Sequence, residues 1–112
     1  MNYTPLQGDI IIVSFDPRMG HEQKGKRPGV IVSNCDYHAG TNGIALVCPI
    51  TNSIRDFPMH VKLDDRTHTT GVIMCEQLLC IDLEARKSEY VEAIPEDILD
   101  EVIDLICSFV EW

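Results

Sequence analysis

The run of seven residues at positions 44–50 constrains the fold most, because it contains only apolar residue types (Ile-Ala-Leu-Val-Cys-Pro-Ile). An apolar run of this length without polar alternation predicts a strand that is buried on both faces, and such a strand lies in the middle of a sheet. Pro49 is expected to end the regular pairing of this strand, because proline donates no hydrogen bond to a ladder.

Shorter apolar or alternating segments lie on both sides of this run and predict further strands. The predicted strands span residues 10–15, 30–33, 59–63, 71–74 and 90–94. Pro28 is expected only at the start of the second of these, again because it lacks a backbone donor. Residues 34–43 predict a loop with room for one helical turn, and residues 76–83 a bent strand or short helical turn.

The last element predicted is a long helix over residues 95–109, with proline in its first turn and carboxylates near its positive end. One apolar stripe on this helix consists of Ile98, Val102, Leu105, Ile106 and Phe109, widened by Leu99, Ile103 and Val110. The predicted fold is therefore mostly β: a small barrel-like sheet of mainly antiparallel strands, capped by one long helix. No linker or repeat interrupts residues 1–112, which predicts a single domain.

The composition excludes several classes of protein. The chain is 45% hydrophobic and 24% charged, which is typical of a folded domain. No apolar run is long enough to cross a membrane and the N-terminus shows no signal peptide, so we expect a cytoplasmic protein. The five cysteines form no CxxC pair, and those at 48, 75 and 107 lie in apolar surroundings, which predicts buried free thiols. The four histidines share no metal-ligand spacing, so no metal site and no cofactor is predicted.

The segment at residues 20–29, between two predicted strands, is the richest in chemical groups. It holds an imidazole, a carboxylate, three cations and three glycines. Two interpretations are open: a solvated hairpin loop, or a site built on a loop between two rigid strands. The net charge of −9 disfavours nucleic acid as a partner, but Arg18, Lys24, Lys26 and Arg27 concentrate positive charge here.

Arg27 and Thr51 are the leading candidates for catalytic residues. Arg27 precedes Pro28 at the root of a strand, and a guanidinium can grip a phosphate with two parallel donors. Thr51 follows the central apolar strand, so its hydroxyl is held at a strand end. The alternatives are an ordinary surface cation and a turn-stabilising hydroxyl. Glu22 and His21 are candidate acid–base groups, and their assignment to acid or base is open.

These residues stand in motifs that resemble the MazF/PemK/Kid toxins of type II toxin–antitoxin modules. The matching stretches are Gly8-Asp9-Ile10, Asp16-Pro17, Gly20-His21-Glu22-Gln23, Gly25, Arg27-Pro28, Pro49-Ile50-Thr51, Thr69-Thr70-Gly71-Val72, Glu76-Gln77 and Ile81-Asp82. The resemblance implies a cytoplasmic, metal-independent endoribonuclease (an mRNA interferase). It also implies an SH3-like barrel with a C-terminal helix, a homodimer, and inhibition by a cognate antitoxin whose acidic C-terminal segment occupies the RNA groove.

Carried over by motif, the family's catalytic arginine and threonine fall on Arg27 and Thr51, with Glu22 and His21 in the same site. The candidate RNA contacts are Arg18, Gln23, Lys24, Lys26, Asn52, Ser53, Arg55, Phe57, Glu76 and Gln77. The sequence departs from the family at Met74, where Kid-like members have a second catalytic arginine, and at Leu79-Cys80, where the family often has polar residues. An arrangement that uses a second arginine is therefore not expected.

The activity implied by the resemblance is sequence-specific cleavage of single-stranded RNA, mRNA above all, to 2′,3′-cyclic phosphate and 5′-hydroxyl ends. An alternative comes from the gyrase poison CcdB, which shares the fold but acts by binding a protein through a tryptophan near its C-terminus. This chain also ends in a tryptophan, Trp112. A CcdB-like protein has no need of the groups in residues 20–28, so the ribonuclease is favoured.

Overall fold

The computed structural model describes residues 4–15, 26–53 and 58–111. The strands are β1 (Asp9–Ser14), β2 (Lys26–Ile31), β3 (Ile44–Thr51), β4 (His60–Lys62), β5 (Val72–Met74), β6 (Leu79–Asp82) and β7 (Glu89–Ala93). The α-helices among these residues are α1 (Cys35–Gly40) and α2 (Glu96–Val110), and a 3-10 turn spans Cys75–Gln77. Residues 76–83, predicted as a bent strand or short helical turn, form the end of this 3-10 turn followed by β6.

The strands form one sheet in the order β4-β5-β3-β2-β1-β7, and β6 pairs with the first half of β3. All the pairings between these described strands are antiparallel. The mostly antiparallel sheet with one long C-terminal helix is therefore confirmed. Along its strand order the sheet is open, with β4 at one end and β7 at the other.

Side chains bring the two ends of this sheet together. Glu92 of β7 accepts hydrogen bonds from the backbone N–H of Thr69 at 2.8 Å, from the Thr69 hydroxyl at 2.8 Å and from the N–H of His68 at 3.2 Å. Both partners lie in the connection between β4 and β5. Burial opposes ionisation of Glu92, but these hydrogen bonds together lower its pKa below the usual value.

β3 is the central strand, as its apolar run predicts. Its first half pairs with β6 and its end pairs with β5, while β2 lies along the opposite edge. The prediction that Pro49 ends the pairing is wrong for the strand as a whole, since β3 continues to Thr51 and pairs there with Val72. Only the ladder with β2 stops at Pro49, where its last pair is Gly29 with Pro49.

β2 begins earlier than predicted. It spans Lys26–Ile31 instead of residues 30–33, and Pro28 lies inside it, opposite Ile12 of β1. The ladder between β2 and β3 begins only at Gly29, so on that side the missing N–H of Pro28 removes no ladder bond. The proline is therefore tolerated within a strand that has neighbours on both edges.

The alternation of side chains across the sheet produces two apolar clusters. One contains Ile10, Val30, Cys48 and Ile50 and packs against Ile98 and Val102 of α2. The other, on the opposite face, contains Ile11, Val13, Ile31, Val47, Ile81 and Leu83, with Ala45. Both faces of β1, β2 and β3 are thus covered, which holds the ends of β2 and β3 rigidly.

The end of α2 and one cysteine depart from the predicted core. Phe109 is 39% exposed and Val110 is 83% exposed, because they lie past Ile106, the last helix residue that packs on the α2-facing cluster. Cys107 is exposed as well, so only Cys48 and Cys75 of the three predicted thiols are buried. Cys107 is exposed for the same reason as Phe109 and Val110, because it follows Ile106 in the helix. All five cysteines are free thiols.

A guanidinium joins α2 to the rest of the molecule. Arg66, between β4 and β5, donates to Asp64 at 2.8 Å and to Asp97 in the first turn of α2 at 2.9 Å. The hydrogen bonds from Arg66 lower the pKa of both carboxyl groups. No helix among the described residues is long and apolar enough to span a membrane.

Candidate active site

Arg27 and Thr51 lie at adjoining ends of β2 and β3. The two strands pair Ile31 with Val47, Val30 with Cys48 and Gly29 with Pro49. Continuing this register by two positions sets Arg27 opposite Thr51. Directly opposed residues of an antiparallel pair point to the same face of a sheet. The sheet therefore directs both side chains to one face, where Arg27 is exposed and Thr51 is partly exposed.

The Thr51 hydroxyl is held by the turn that follows β3. Its Oγ1 accepts a hydrogen bond from the backbone N–H of Ser53 at 3.1 Å. This is the turn-stabilising use of a threonine, and it occupies an acceptor position of the oxygen. The hydroxyl proton remains to be donated elsewhere. The structural and catalytic interpretations of Thr51 are therefore compatible.

Gly29 and Phe15 support the strand that carries Arg27. A Cβ built on Gly29 would lie 2.8 Å from Cζ of Phe15 and 2.8 Å from Cγ1 of Val47. The partly buried Phe15 therefore packs directly on the bare backbone of β2. Sequence reasoning missed this contact, although the alternation of Ile11, Val13 and Phe15 on one face pointed to it.

A cavity of about 390 Å³ opens beside Thr51. It is lined by the end of β3, by Lys62 and Val72 of the neighbouring strands, and by the connection between β4 and β5. Within this lining the Thr70 hydroxyl donates to Oδ1 of Asn52 at 3.0 Å. Because its oxygen is engaged in this way, the Asn52 amide nitrogen is left as the donor of that side chain.

Gly71 permits the close approach of two backbones that forms this cavity. Its φ is +119°, a conformation that suits glycine, and a Cβ there would overlap the carbonyl oxygen of Thr51. The Gly71-Val72 part of the family motif therefore has a local physical reason. It lets β5 lie against the end of the strand that carries Thr51.

Glu76 and Gln77 are exposed on the 3-10 turn that follows β5. Glu76 lies 3.1 Å from Nε2 of His60, a residue of β4 that sequence reasoning did not select. Met74 is opposite His60 in the ladder and partly buried. At the other departure from the family, Leu79 packs in the apolar cluster away from α2, and Cys80 is exposed, 3.7 Å from the Tyr37 hydroxyl.

The remaining predicted site residues divide into two groups. Lys26, Asn52 and Ser53 are described, with Lys26 partly buried in β2 and the other two exposed after β3. The other group lies outside the described residues and comprises Arg18, His21, Glu22, Gln23, Lys24, Arg55 and Phe57. Five of these residues, from Arg18 to Lys24, lie in the connection between β1 and β2. The strand ends on either side of this connection are paired with each other, since Ser14 pairs with Lys26.

A second cavity, of about 450 Å³, lies at the opposite end of β3. It is lined by Thr4, Pro5, His38, Asn42, Gly43, Asp82 and Glu84. None of these is a predicted site residue, so the chemistry is better placed at the cavity beside Thr51. Among the residues that the structure describes, no three His, Cys, Asp or Glu side chains are grouped as metal ligands.

A β-sheet with an arginine and a threonine at adjoining strand ends defines a candidate phosphate-handling protein, and comparison with known proteins gives the family. Residues 6–110 match the family model described as the PemK-like, MazF-like toxin of type II toxin–antitoxin systems. The chain belongs to this family.

Relatives of known structure or activity agree with this assignment. Endoribonuclease PemK of Escherichia coli is 40% identical over 87% of this chain and 75% of its own length. The crystal structure of MazF from Deinococcus radiodurans superposes with a TM-score of 0.86, at 30% identity, covering 99% of this chain and 100% of MazF. A MazE–MazF structure from the same organism gives a TM-score of 0.83 at 25% identity, with 98% of each chain covered. The protein is accordingly an endoribonuclease toxin of the PemK/MazF type.

Proposed function

We propose that this chain, as a single toxin domain over residues 1–112, cleaves single-stranded RNA at specific sequences without a metal ion, and that a cognate antitoxin neutralises it. The observation that supports the proposal is the register of β2 and β3, which brings Arg27 opposite Thr51 when it is continued two positions beyond the Gly29–Pro49 pair. The relatives named endoribonucleases support RNA as the substrate, with mRNA as the cellular form.

In the proposed reaction the ribose 2′-hydroxyl attacks the adjacent phosphorus and the 5′-oxygen leaves. The products are a 2′,3′-cyclic phosphate and a 5′-hydroxyl. Negative charge grows on the non-bridging oxygens, where the Arg27 guanidinium and the proton of the Thr51 hydroxyl can stabilise it. Because the nucleophile is part of the substrate, the residues need supply only positioning, charge stabilisation and proton transfer.

Glu22 and His21 are the proposed acid and base, in an order that is open. They lie in the connection between β1 and β2, whose two ends meet at Ser14 and Lys26, next to Arg27. This placement supports the assignment, because a connection fixed at that point starts and ends beside the proposed phosphate position. Acid–base assistance of this kind is typically worth about 10²–10⁴-fold per group.

The cavity beside Thr51 is the proposed site for an unpaired base next to the scissile phosphate. Its apolar lining suits a base, and the amide nitrogen of Asn52 supplies a donor that can read a base edge. Glu76 and Gln77 on the neighbouring turn, with Ser53 and Lys26, are proposed as further RNA contacts. Arg18, Gln23, Lys24, Arg55 and Phe57 complete the proposed set.

The proposed partners are a second copy of the chain and an antitoxin. The MazE–MazF structure supports the antitoxin as a partner, and an acidic C-terminal antitoxin segment is expected to compete with RNA for the cations near Arg27. We also propose that the protein acts in the cytoplasm, where mRNA is found.

The test is cleavage of a long RNA by the purified protein in EDTA, with mapping of the ends. Arg27→Ala should reduce the single-turnover rate by about 10²–10³-fold, because one preorganised donor to a developing oxyanion contributes that much. Arg27→Lys should restore little, since an ammonium lacks the planar fork. The expected ends are 2′,3′-cyclic phosphate and 5′-hydroxyl.

Lys87→Ala is the matched control, because it removes an exposed cation between β6 and β7, away from the proposed site, and should leave the rate unchanged. A folded Arg27→Ala protein that cleaves at the wild-type rate would contradict the proposed site. Wild-type protein that leaves RNA intact but blocks DNA supercoiling by gyrase would support the CcdB-like alternative instead.

A further inference from the structure

Cys48 lies in β3, and Cys75 directly follows the neighbouring strand β5. β3 and β5 pair Thr51 with Val72 and Ile50 with Ile73. Two positions further in the same register, Cys48 comes opposite Cys75, the first residue of the 3-10 turn. Residues opposed in an antiparallel register point to the same face. Both cysteines belong to the apolar cluster under α2, and both are 0% exposed.

The backbone hydrogen bonds show which kind of cross-strand pair this is. The N–H of Cys75 donates to the carbonyl of Met59 at 3.2 Å, on the side of β4 and away from β3. On β3, the carbonyl of Leu46 accepts from Val32 at 2.9 Å, on the side of β2. Residues two apart on a strand direct their backbone groups to the same side, so the backbone N–H and C=O of Cys48 also point towards β2. Cys48 and Cys75 therefore form a non-hydrogen-bonded pair.

This pairing fits the geometry of a disulfide. The Cα atoms of a non-hydrogen-bonded antiparallel pair are about 4.5 Å apart, with the side chains close together. Disulfides span Cα distances of about 4.4–6.8 Å. The separation expected for such a pair therefore falls within the range that a disulfide spans.

The two thiols also shift each other's pKa in opposite directions. The pKa of Cys48 is raised, first by its interaction with the Cys75 thiol and then by burial. The same interaction lowers the pKa of Cys75. Cys75 is therefore the thiol that more readily becomes the thiolate, which is the nucleophilic form.

We propose that the Cys48–Cys75 pair is a covalent modification site at which hydrogen peroxide forms an intramolecular disulfide. The Cys75 thiolate attacks one peroxide oxygen, the O–O bond breaks, and hydroxide leaves to give a sulfenic acid. The sulfur of Cys48 then displaces the sulfenic oxygen as water and loses its proton. In total two thiols and one peroxide give one disulfide and two waters. The bond joins β3, three residues before Thr51, to the turn that bears Glu76.

The test uses a variant that keeps only this pair, with the three exposed cysteines replaced: Cys35→Ser, Cys80→Ser and Cys107→Ser. After peroxide treatment of the folded variant, its mass should fall by two hydrogen atoms. Thiols titrated in denaturant should fall from two to none, and dithiothreitol should restore them. The midpoint of thermal unfolding should rise by about 10 °C in the oxidised form.

The matched control adds Cys75→Ala to this variant, and it should show no loss of mass. Any of three outcomes overturns the proposal: the folded variant gains oxygen without forming a disulfide, a disulfide links two chains, or both thiols stay reduced at a peroxide dose that oxidises an exposed dithiol peptide. Should the triple variant not fold, wild-type protein is mapped by non-reducing proteolysis. A Cys48–Cys75 linked peptide is then expected, and a link from either residue to another cysteine overturns the proposal. None of these measurements depends on RNA cleavage.

Discussion

At the scale of single residues, Gly29 is a position where the addition of one methyl group should destabilise the fold. The Gly29→Ala substitution places a methyl group against Phe15, Val47 and the carbonyl oxygen of Cys48. Two of these contacts would be at 2.8 Å, so the strand or the ring must move. We expect a loss of about 1–3 kcal/mol in the free energy of unfolding, as for other overpacked sites.

Gly40→Ala is the matched control for this measurement by denaturant unfolding. A Cβ at Gly40 would meet nothing within 4 Å, and its backbone is helical. This substitution should be neutral or stabilise by up to about 1 kcal/mol. Equal effects of the two substitutions would contradict the packing described around Gly29.

Thr51 permits a second test at the same scale. Thr51→Ala should slow single-turnover RNA cleavage, but less than Arg27→Ala does, because a neutral donor contributes less than a charged one. Thr51→Ser keeps the oxygen that accepts from the Ser53 N–H, and should retain most of the rate. Circular dichroism checks the fold of each variant. If the Thr51→Ala enzyme is fully active, the Thr51 hydroxyl of the wild type has no catalytic role and only stabilises the turn.

The sequence motifs name Arg27 and Thr51, but their position relative to each other needs the strand register. That register depends on which strands pair, and the pairing is a long-range property. The same limit explains Phe15, whose ring packs on a glycine fourteen positions further along the chain. Cys107 was wrongly assigned to the core because an apolar neighbourhood in sequence does not say where a helix passes beyond the sheet.

At the scale of elements, Glu92 joins β7 to the connection between β4 and β5. Its pKa is lowered in the folded protein, so its stabilising effect is complete above the usual glutamate pKa of about 4.3 and is lost as the pH falls through the folded value. Glu92→Gln should therefore lower the unfolding midpoint by a few degrees at pH 7. At pH 3 the difference from the wild type should be much smaller.

Glu89→Gln, in the same strand but exposed, is the control for thermal unfolding at both pH values. It should change the midpoint little at either pH. A difference between Glu92→Gln and the wild type that is constant with pH would indicate that the charge of Glu92 contributes nothing to this junction.

The type of each element was predictable where hydrophobic period and length agreed. The central strand and α2 follow directly from an unbroken apolar run and a 3.6-residue stripe. The errors concern proline. Pro28 and Pro49 were expected at strand limits, yet both lie within strands because ladders on the two edges of a strand begin and end at different residues. A rule that places proline at strand ends considers one residue alone, so it cannot predict that the ladders on the two edges of a strand end at different positions.

At the scale of the whole molecule, the end of α2 points to self-association. Phe109 and Val110 are exposed apolar residues that follow the last core contact of the helix. We expect a symmetric dimer that covers them, since pairing is the commonest way to bury such a surface. Sedimentation at micromolar concentration should give twice the chain mass of 12.6 kDa.

Val110→Asp should weaken this dimer, because it would place a carboxylate in an apolar contact. Ser108→Asp adds the same charge next to it, at a residue whose hydroxyl bonds back to the helix, and should weaken the dimer less. A wild-type mass of one chain at physiological salt would mean that the helix end is a solvent-facing surface.

The three ladders on β3 have a consequence for how the protein loses activity. Thr51 ends a strand that is paired along β2, β5 and β6, so the strand cannot detach while the rest of the sheet persists. Fluctuations that open a structure locally occur where few backbone bonds must break at once. The proposed catalytic hydroxyl is thus tied to the most cooperative part of the domain. Inactivation by heat should then be an all-or-none event that coincides with global unfolding, without a folded but inactive intermediate.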